Sequence, residues 1–457
     1  MLPAYIYFLG VGGIGMSALA RWFNANSYEV EGYDKTPTDL TVKLQEEGIN
    51  IVFDDSKEAL SEKLLSLPKE DVLIVYTPAI PSSHQGMQYL KENGYTLKKR
   101  AEVLGMITND SFTVGIAGTH GKTTTSSMLS HILKHAGKNV SAFLGGISTN
   151  YGTNMLLGDN SKSDHIVVVE ADEFDRSFLQ LSPNVIGVTS CEADHLDIYG
   201  DEEAVFVSFQ EFINKLPQDG QLFLEKSIKK LTPQGKVALT TYGIEGGDVY
   251  AENLHVANGA FVFDVKINEI KLEKVALQMP GYHNVANALL AMSIALQIGI
   301  TAEEVRKGIE SYKGVKRRFE KWVDTPNKVY IDDYAHHPTE ITTFIKSLKA
   351  LYPEEKITVV FQPHLYSRTA DFADNFGESL SLADDVWLLP LYPAREKFVE
   401  GVNSEMLLGK ILHNNKRIVQ DEDLLEEVKK YDGKVIATVG AGNIDRFIKD
   451  IAQIHNE

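Results

Sequence analysis

The stretch FTVGIAGTHGKTTT (112–125) carries the reading of the chain. An apolar run that suits a buried strand gives way to glycines, and Lys122 then opens a helical pattern. Strand, glycine loop and helix in that order make a phosphate cradle. The backbone N–H groups from Gly118 through Thr119, His120 and Gly121 to Lys122 can turn toward phosphate oxygens, and the dipole of the departing helix favours an anion there. Lys122 supplies a point charge to the β/γ region, and Thr123 or Thr124 can offer a hydroxyl to Mg²⁺. The spacing departs from the strict G-x-x-x-x-G-K-T pattern, because Ile116 stands five before Gly121 and the nearest glycine is Gly115. The loop reads as a variant P-loop for a nucleoside triphosphate.

A second glycine turn, GVGGIG (Gly10–Gly15), stands about a hundred residues upstream. It follows the apolar run YIYFLG and precedes a helical pattern, and Gly10, Gly12 and Gly15 give G-x-G-x-x-G. That context suits a diphosphate at a helix N-terminus, and Asp34 closes the next strand where an acid often holds a ribose hydroxyl. The motif does not name the nucleotide: a nicotinamide cofactor, another diphosphate or plain packing all satisfy it.

Apolar runs alternate with helical patterns along the rest of the chain. Buried strands are expected at 29–34, 50–53 and 72–77, then at 165–173 and 184–190, and finally at 328–337, 356–364, 384–392 and 434–442, with helices near 14–25, 38–47, 57–66, 283–300 and 338–352. Strands alternating with helices imply parallel sheets. The stretch 260–278 alternates apolar and polar residues instead, which suggests antiparallel strands. The expected architecture is α/β with three tandem domains: a Rossmann-like domain over 1–110, a P-loop domain with extra antiparallel strands over 111–313, and a second Rossmann-like domain over 314–457.

Within the central series the strand IVVVE ends in Glu170, beside the P-loop of a neighbouring parallel strand, which makes Glu170 a metal-ligand candidate. Asp172, Glu173 and Asp175 read more simply as a solvated acidic loop. His195, after the next strand, reaches the same sheet edge and suits either a ligand or a structural role. Cys191 reads as a small buried residue, since no nucleophile signature surrounds it.

Bulk properties limit the function. The 457 residues exceed one core, and composition is ordinary at 43% apolar and 24% charged. Lys plus Arg total 45 against 63 Asp plus Glu, a net charge of −18, which argues against nucleic acid and anionic membrane as partners. A single cysteine fits a reducing compartment, and no apolar stretch nears a membrane span. A cytoplasmic enzyme without membrane insertion, monomer or homodimer, is expected.

Ordered motifs narrow the reading further. GVGGIGMSALA, GTHGKTTT, EADEFDRSFLQLSP, EADHLDIYG, PGYHNVANALLA, GVKRRFE, DDYAHHPTEI, FQPHLYSRT and YPARE, with VGAGNI after them, resemble the Mur ligases from residue 10 to 444. The resemblance implies an ATP-dependent ligase that joins L-alanine to the carboxylate of UDP-N-acetylmuramate through an acyl phosphate, in peptidoglycan precursor synthesis. The first turn (Gly10, Gly12, Gly13, Ile14, Gly15), with Asp34, Thr77, His120, Asn150 and Asn154, would then hold the UDP-sugar. ATP would meet Gly118, Thr119, His120, Gly121, Lys122, Thr123 and Thr124, with His283, Asn284 and Asn287 near the adenine and ribose. Arg318 would reach the phosphates, and Asp333 and Tyr334 would close over the nucleotide from the third domain. Magnesium would sit on Thr123, Glu170 and His195. His336 would face the reacting centre as a general base or orienting group, and His364 and Arg368 would receive alanine or the muramoyl carboxylate. Phe174 and Ser190 depart from the residues usual in the alanine-adding branch, while the absence of lysine from 193–214 fits it. The rivals are a ligase that attaches a recycled murein tripeptide to the same sugar nucleotide, a nicotinamide oxidoreductase, and a non-catalytic nucleotide-sensing module.

Overall fold

Three sheets organise the chain in the computed structural model, which describes residues 2–192, 199–257, 259–267, 269–394 and 396–456. The first contains β1 (Tyr5–Leu9), β2 (Glu29–Tyr33), β3 (Asn50–Val52), β4 (Val72–Tyr76) and β5 (Thr96–Lys99) in the order β3-β2-β1-β4-β5. All its pairs are parallel. The order reverses beside β1, so the turn after Leu9 opens into the crevice where α/β sheets bind ligands. The helix Ile14–Ala25 follows that turn at the expected bounds.

The second sheet has ten strands: β6 (Phe112–Ala117), β7 (Val140–Ser148), β8 (Thr153–Leu156), β9 (Ile166–Glu170), β10 (Val185–Val188), β11 (Gln221–Glu225), β12 (Ala238–Gly243), β13 (Val249–Ala257), β14 (Ala260–Ile267) and β15 (Ile270–Leu277). Their order is β15-β14-β13-β12-β11-β10-β6-β9-β7-β8. β6 is central, parallel to β10 on one side and to β9 on the other, with Ile116 opposite Glu170. That register places the Glu170 carboxylate beside the loop leaving β6. β14 and β15 lie within the stretch whose alternation suggested a different kind of sheet, and the two-residue step between them is too short for a parallel crossover.

The third sheet holds β16 (Glu320–Asp324), β17 (Val329–Asp333), β18 (Ile357–Phe361), β19 (Asp385–Leu388), β20 (Lys416–Ile418) and β21 (Val435–Val439) in the order β16-β17-β21-β18-β19-β20. Only β16 is antiparallel to its neighbour. The short strands β5, β8, β16 and β20 escaped the sequence reading because each is polar, short or at an edge, so none shows a clean apolar run.

The chain divides into two compact units: Met1–Glu252 with Val265–Glu273 and Ala286–Ser311, and Asn253–Asp264 with Lys274–Val285 and Tyr312–Glu457. The first sheet and strands β6 to β12 of the second share the first unit. Val167, Val169 and Phe178 pack in one continuous core with Phe8, Leu19 and Val103.

Candidate active site

In the first unit the loop after β6 has the backbone its glycines permit. Gly121 caps the helix Lys122–His135 at φ +83°, and a Cβ there would lie 2.6 Å from Asn287 Oδ1. An L side chain is excluded by both backbone and bulk. Not every N–H of the loop is left for a ligand. Ser190 accepts the His120 N–H at 2.9 Å on its hydroxyl and the Thr119 N–H at 3.3 Å on its carbonyl, so those two donors hold the loop in shape. Thr189 donates its hydroxyl to the carbonyl oxygens of Ala117 and His120. Ser190, a departure at sequence level, is thus part of the loop's scaffold.

Lys122 folds back along the loop. Its Nζ donates to Gly118 O at 2.7 Å and meets Glu173 Oε2 at 2.8 Å and Oε1 at 2.9 Å. Burial alone would lower its pKa, but the carboxylates of Glu173, Glu170 and Asp172 outweigh that and hold it above the ordinary lysine value. The solvated-loop reading of Glu173 is corrected here: it is 1% exposed. Its flanking residues behave as expected, Asp175 being exposed and Asp172 half-buried.

Thr123 donates its hydroxyl to Glu170 Oε1 at 2.9 Å, and Glu170 Oε2 accepts the Gly145 N–H at 2.9 Å. A Cβ on Gly145 would come within 2.6 Å of the Glu170 Cδ, so this carboxylate occupies space that only glycine leaves. Two hard oxygen donors side by side at the helix N-terminus fit Mg²⁺. His195 lies outside the described residues, and among the described residues no group of three His, Cys, Asp or Glu side chains forms a metal cluster. Thr124 is buried behind Thr123. Burial pushes the Cys191 thiol up to about 12, so it is not a thiolate nucleophile.

The upstream turn differs from its sequence reading in one respect. Asp34 Oδ2 accepts the Gly12 N–H at 2.7 Å and Oδ1 accepts the Thr36 N–H at 3.4 Å, so the carboxylate braces the turn itself. Gly10 sits against Thr77, since a Cβ there would touch its methyl at 3.0 Å. Gly13 is the N-cap of the helix that begins at Ile14. Gly15 lies under Arg100, whose Nη1 would be 2.8 Å from an added Cβ, and sequence reasoning missed this cation because α/β patterns end before it. Asn154, expected on the sugar nucleotide, is fully buried. It donates to Ile14 O at 2.6 Å and Ser17 Oγ at 2.9 Å and accepts from Arg21, so no ligand reaches it. Asn150 donates to Ser311 O at 3.0 Å.

In the second unit the cationic residues gather around Tyr334. Arg317 and Arg318 lie 5.2 and 5.4 Å from its ring centroid. Arg317 is spent on structure, bound to Asp332 at 3.0 Å and Gly440 O at 2.7 Å, whereas Arg318 is a third exposed and meets Glu340 at 4.0 Å. Backbone φ values of +58° at Arg317 and +48° at Phe319 cost on the order of 1 kcal/mol each. Tyr334 N–H to Arg317 O at 2.8 Å and Phe319 N–H to Asp333 Oδ2 at 2.7 Å hold them in place. Asp333 also accepts the Ala335 N–H at 2.7 Å, so its carboxylate is engaged by backbone donors of its own unit. Burial raises its pKa to about 6 against the pull of Arg318 and the two N–H donors.

His336 is half-buried, with Nδ1 3.0 Å from Tyr334 O and 3.5 Å from Glu340 Oε2. Burial lowers its pKa, with Glu340 opposing and Arg368 assisting. His364 stands 3.5 Å from Arg368 Nη1 and stacks on Tyr392, and burial, then Arg368 and His336, press it down to about 4. Arg318, His336, His364 and Arg368 are therefore one electrostatic group with two neutral imidazoles. In this unit His283 is exposed and Asn284 is buried, donating to Pro280 O at 2.7 Å, while Asn287 belongs to the first unit beside Gly121.

Three family models match the chain: Mur ligase family, catalytic domain, over 5–112; Mur ligase middle domain over 116–295; and Mur ligase, glutamate ligase domain, over 317–442. A UDP-N-acetylmuramate–L-alanine ligase from Flavobacterium psychrophilum is 48% identical over 98% of this chain and 97% of its own. The crystal structure of a UDP-N-acetylmuramate–alanine ligase from Thermotoga maritima superposes with a TM-score of 0.83 at 28% identity, covering 99% of both chains. A murein peptide ligase from Psychrobacter arcticus shares the fold, with a TM-score of 0.70 at 22% identity over 99% of both chains.

Proposed function

The chain belongs to the Mur ligase family, and from that premise we propose how its residues divide the work of an ATP-dependent ligase that joins L-alanine to UDP-N-acetylmuramate in peptidoglycan synthesis. The observation that carries the reading is the Thr123–Glu170 pair at 2.9 Å beside the P-loop lysine, in a chain nearly half identical to an alanine-adding relative over its whole length. A nicotinamide oxidoreductase and a nucleotide sensor have no comparable support.

Amide formation from a carboxylate and an amine needs an activated acyl group. Transfer of the γ-phosphoryl of ATP to the muramoyl carboxylate forms an acyl phosphate. The amine then attacks that carbonyl, and inorganic phosphate leaves. Positioning and charge neutralisation dominate phosphoryl transfer. Lys122 is assigned to the phosphates, the N–H groups of Gly121 and Lys122 to their oxygens, and the first glycine turn with Arg100 above Gly15 to the sugar-nucleotide diphosphate. Thr123 and Glu170, with His195, are the residues that would hold magnesium. When bound, it would neutralise charge between two anionic reactants. Arg318 and Arg368 are assigned to the anionic groups on the second unit. His336 is assigned to accept the proton that the attacking amine loses, and His364, a weak base at about 4, to orient the reactants.

Phosphate release measured with UDP-N-acetylmuramate, ATP and either L-alanine or the murein tripeptide tests this reading. Release with alanine and none with the tripeptide is expected. The reverse would assign the chain to the recycling reaction. We also propose a cytoplasmic location. Among the described residues no helix is long and apolar enough to cross a membrane.

A further inference from the structure

Lys122 has a charge partner of its own within the loop region. Its ammonium is 13% exposed and faces a carboxylate that is 2% exposed, at 2.8 Å. That carboxylate sits in the loop after β9, where Asp175 and Arg176 both take φ +52°. Four contacts fix the loop within the first unit. Arg100 reaches Asp172 at 3.3 Å, and Lys99 reaches Asp175 at 2.8 Å. Tyr199 donates its hydroxyl to Glu173 O at 2.6 Å, and the Arg176 guanidinium lies 5.2 Å from the Tyr199 ring. A fixed, desolvated carboxylate next to the lysine is a strong local anion. A triphosphate arriving at the P-loop meets two consequences of it. The lysine charge is already neutralised, and the carboxylate repels the incoming phosphates.

We propose that Glu173 is a positioning residue that latches Lys122 onto the P-loop when the nucleotide is absent, so that ATP gains the lysine only by breaking the Lys122–Glu173 pair. Glu173 thereby sets nucleotide affinity below what the loop would otherwise reach. It also keeps the lysine oriented along the loop, through Gly118 O, at the position from which it swings to phosphate. This rests on the ligase reading for the identity of the nucleotide, but not for the existence of the latch.

Calorimetric titration of ATP into the free enzyme, without acceptor or amine, tests it with Glu173→Gln. Glutamine keeps the shape and removes the charge. The expected result is binding tightened at least 5-fold, with KM for ATP falling in step while KM for the sugar nucleotide and for alanine stay put. A residue that only supports the fold would leave affinity unchanged or weaken it, and either result in a folded variant overturns the proposal. If Glu173→Gln does not fold, Glu173→Asp serves: it keeps the charge but withdraws it by one methylene, and binding tightened at least 2-fold is expected, with unchanged or weaker binding again overturning the latch. The two readings fail separately. Parent enzyme that binds ATP but releases no phosphate with UDP-N-acetylmuramate and alanine sinks the ligase assignment and leaves the latch standing on the titration.

Discussion

Adding one methyl group at Gly145 tests whether the Glu170 carboxylate is needed where it stands. The backbone of Gly145 is not left-handed, so alanine there changes bulk and not conformation. The new Cβ would overlap Glu170 Oε2 outright and lie 2.6 Å from Cδ and 2.8 Å from Oε1, against an ordinary contact of about 3.5 Å. The carboxylate must retreat by at least about 1 Å, and as the end of a flexible side chain it can. It then loses the Gly145 N–H and the Thr123 hydroxyl, at a stability cost of about 1 kcal/mol on this exposed rim. A misplacement of about 1 Å in a phosphoryl-transfer site is worth about 10²-fold in rate, near 2.7 kcal/mol of barrier. Gly145→Ala should therefore fold normally, lose about 10²-fold in kcat for phosphate release, and need about ten times more Mg²⁺ for half-maximal rate. Glu170→Gln should lose at least as much. A Gly145→Ala enzyme within 3-fold of the parent kcat, with an unshifted Mg²⁺ dependence, would refute the assignment of Glu170 to the metal.

Lys122→Met should reduce turnover by about 10³-fold and destabilise the first unit by about 3 kcal/mol, because Glu173 is left buried without its cation; Lys122→Met with Glu173→Gln should recover the stability and not the rate, as read by thermal denaturation and phosphate release. Asn154→Ala should cost about 2–3 kcal/mol by chemical denaturation through the stranded Arg21 and Ile14 partners; a variant with native stability and a raised KM for the sugar nucleotide would restore Asn154 to the ligand. Burial, aided by His135, presses the His131 imidazole down to about 4, whereas in the unfolded chain it titrates near 6.5, so the unfolded state takes up the proton first and stability is lost as pH falls through that window; the loss should total about 3 kcal/mol between pH 6.5 and 4 and shrink in His131→Gln. The His364 ring should remain neutral down to about pH 4 in a histidine NMR titration, and Arg368→Gln should move its midpoint upward.

The legible part of the molecule was the part written in runs. The helix starting at Lys122, the strands ending in Glu170 and Asp333, and the glycine turn after Leu9 all announce themselves by apolar blocks that stop at a glycine or an acid. What the sequence could not convey was which polar residues face a ligand and which face the protein. Asp34, Asn154 and Asp333 have the residue type and the strand-end position of ligand contacts, yet each is spent on backbone N–H or carbonyl groups of its own unit. Glu173 carried the opposite error. A run of acids looked solvated, and its one buried member was indistinguishable until Lys122 was seen against it. Ser190 and Glu340 were readable in principle. Ser190 follows a strand that borders the P-loop, and Glu340 closes a capping box on His337.

These polar residues tie the two glycine turns together within the first unit, as the proposed division of work requires. Asn154, on β8, grips the first turn of the helix that leaves GVGGIG, and Arg21 on the same helix joins it to Glu47 with both partners' geometry satisfied. Arg100 stands over Gly15 and also holds Asp172, one residue before the carboxylate that pairs with the P-loop lysine. The spacing between the two glycine turns is therefore held by a chain of ion pairs and hydrogen bonds within one unit, with Asn154, Arg21 and Glu173 buried and Arg100, Asp172 and Glu47 partly exposed. Phosphoryl transfer demands that kind of rigidity: the acceptor carboxylate and the γ-phosphoryl repel each other, and only cradles whose separation is fixed beforehand hold them at reacting distance without having to reorganise as they meet.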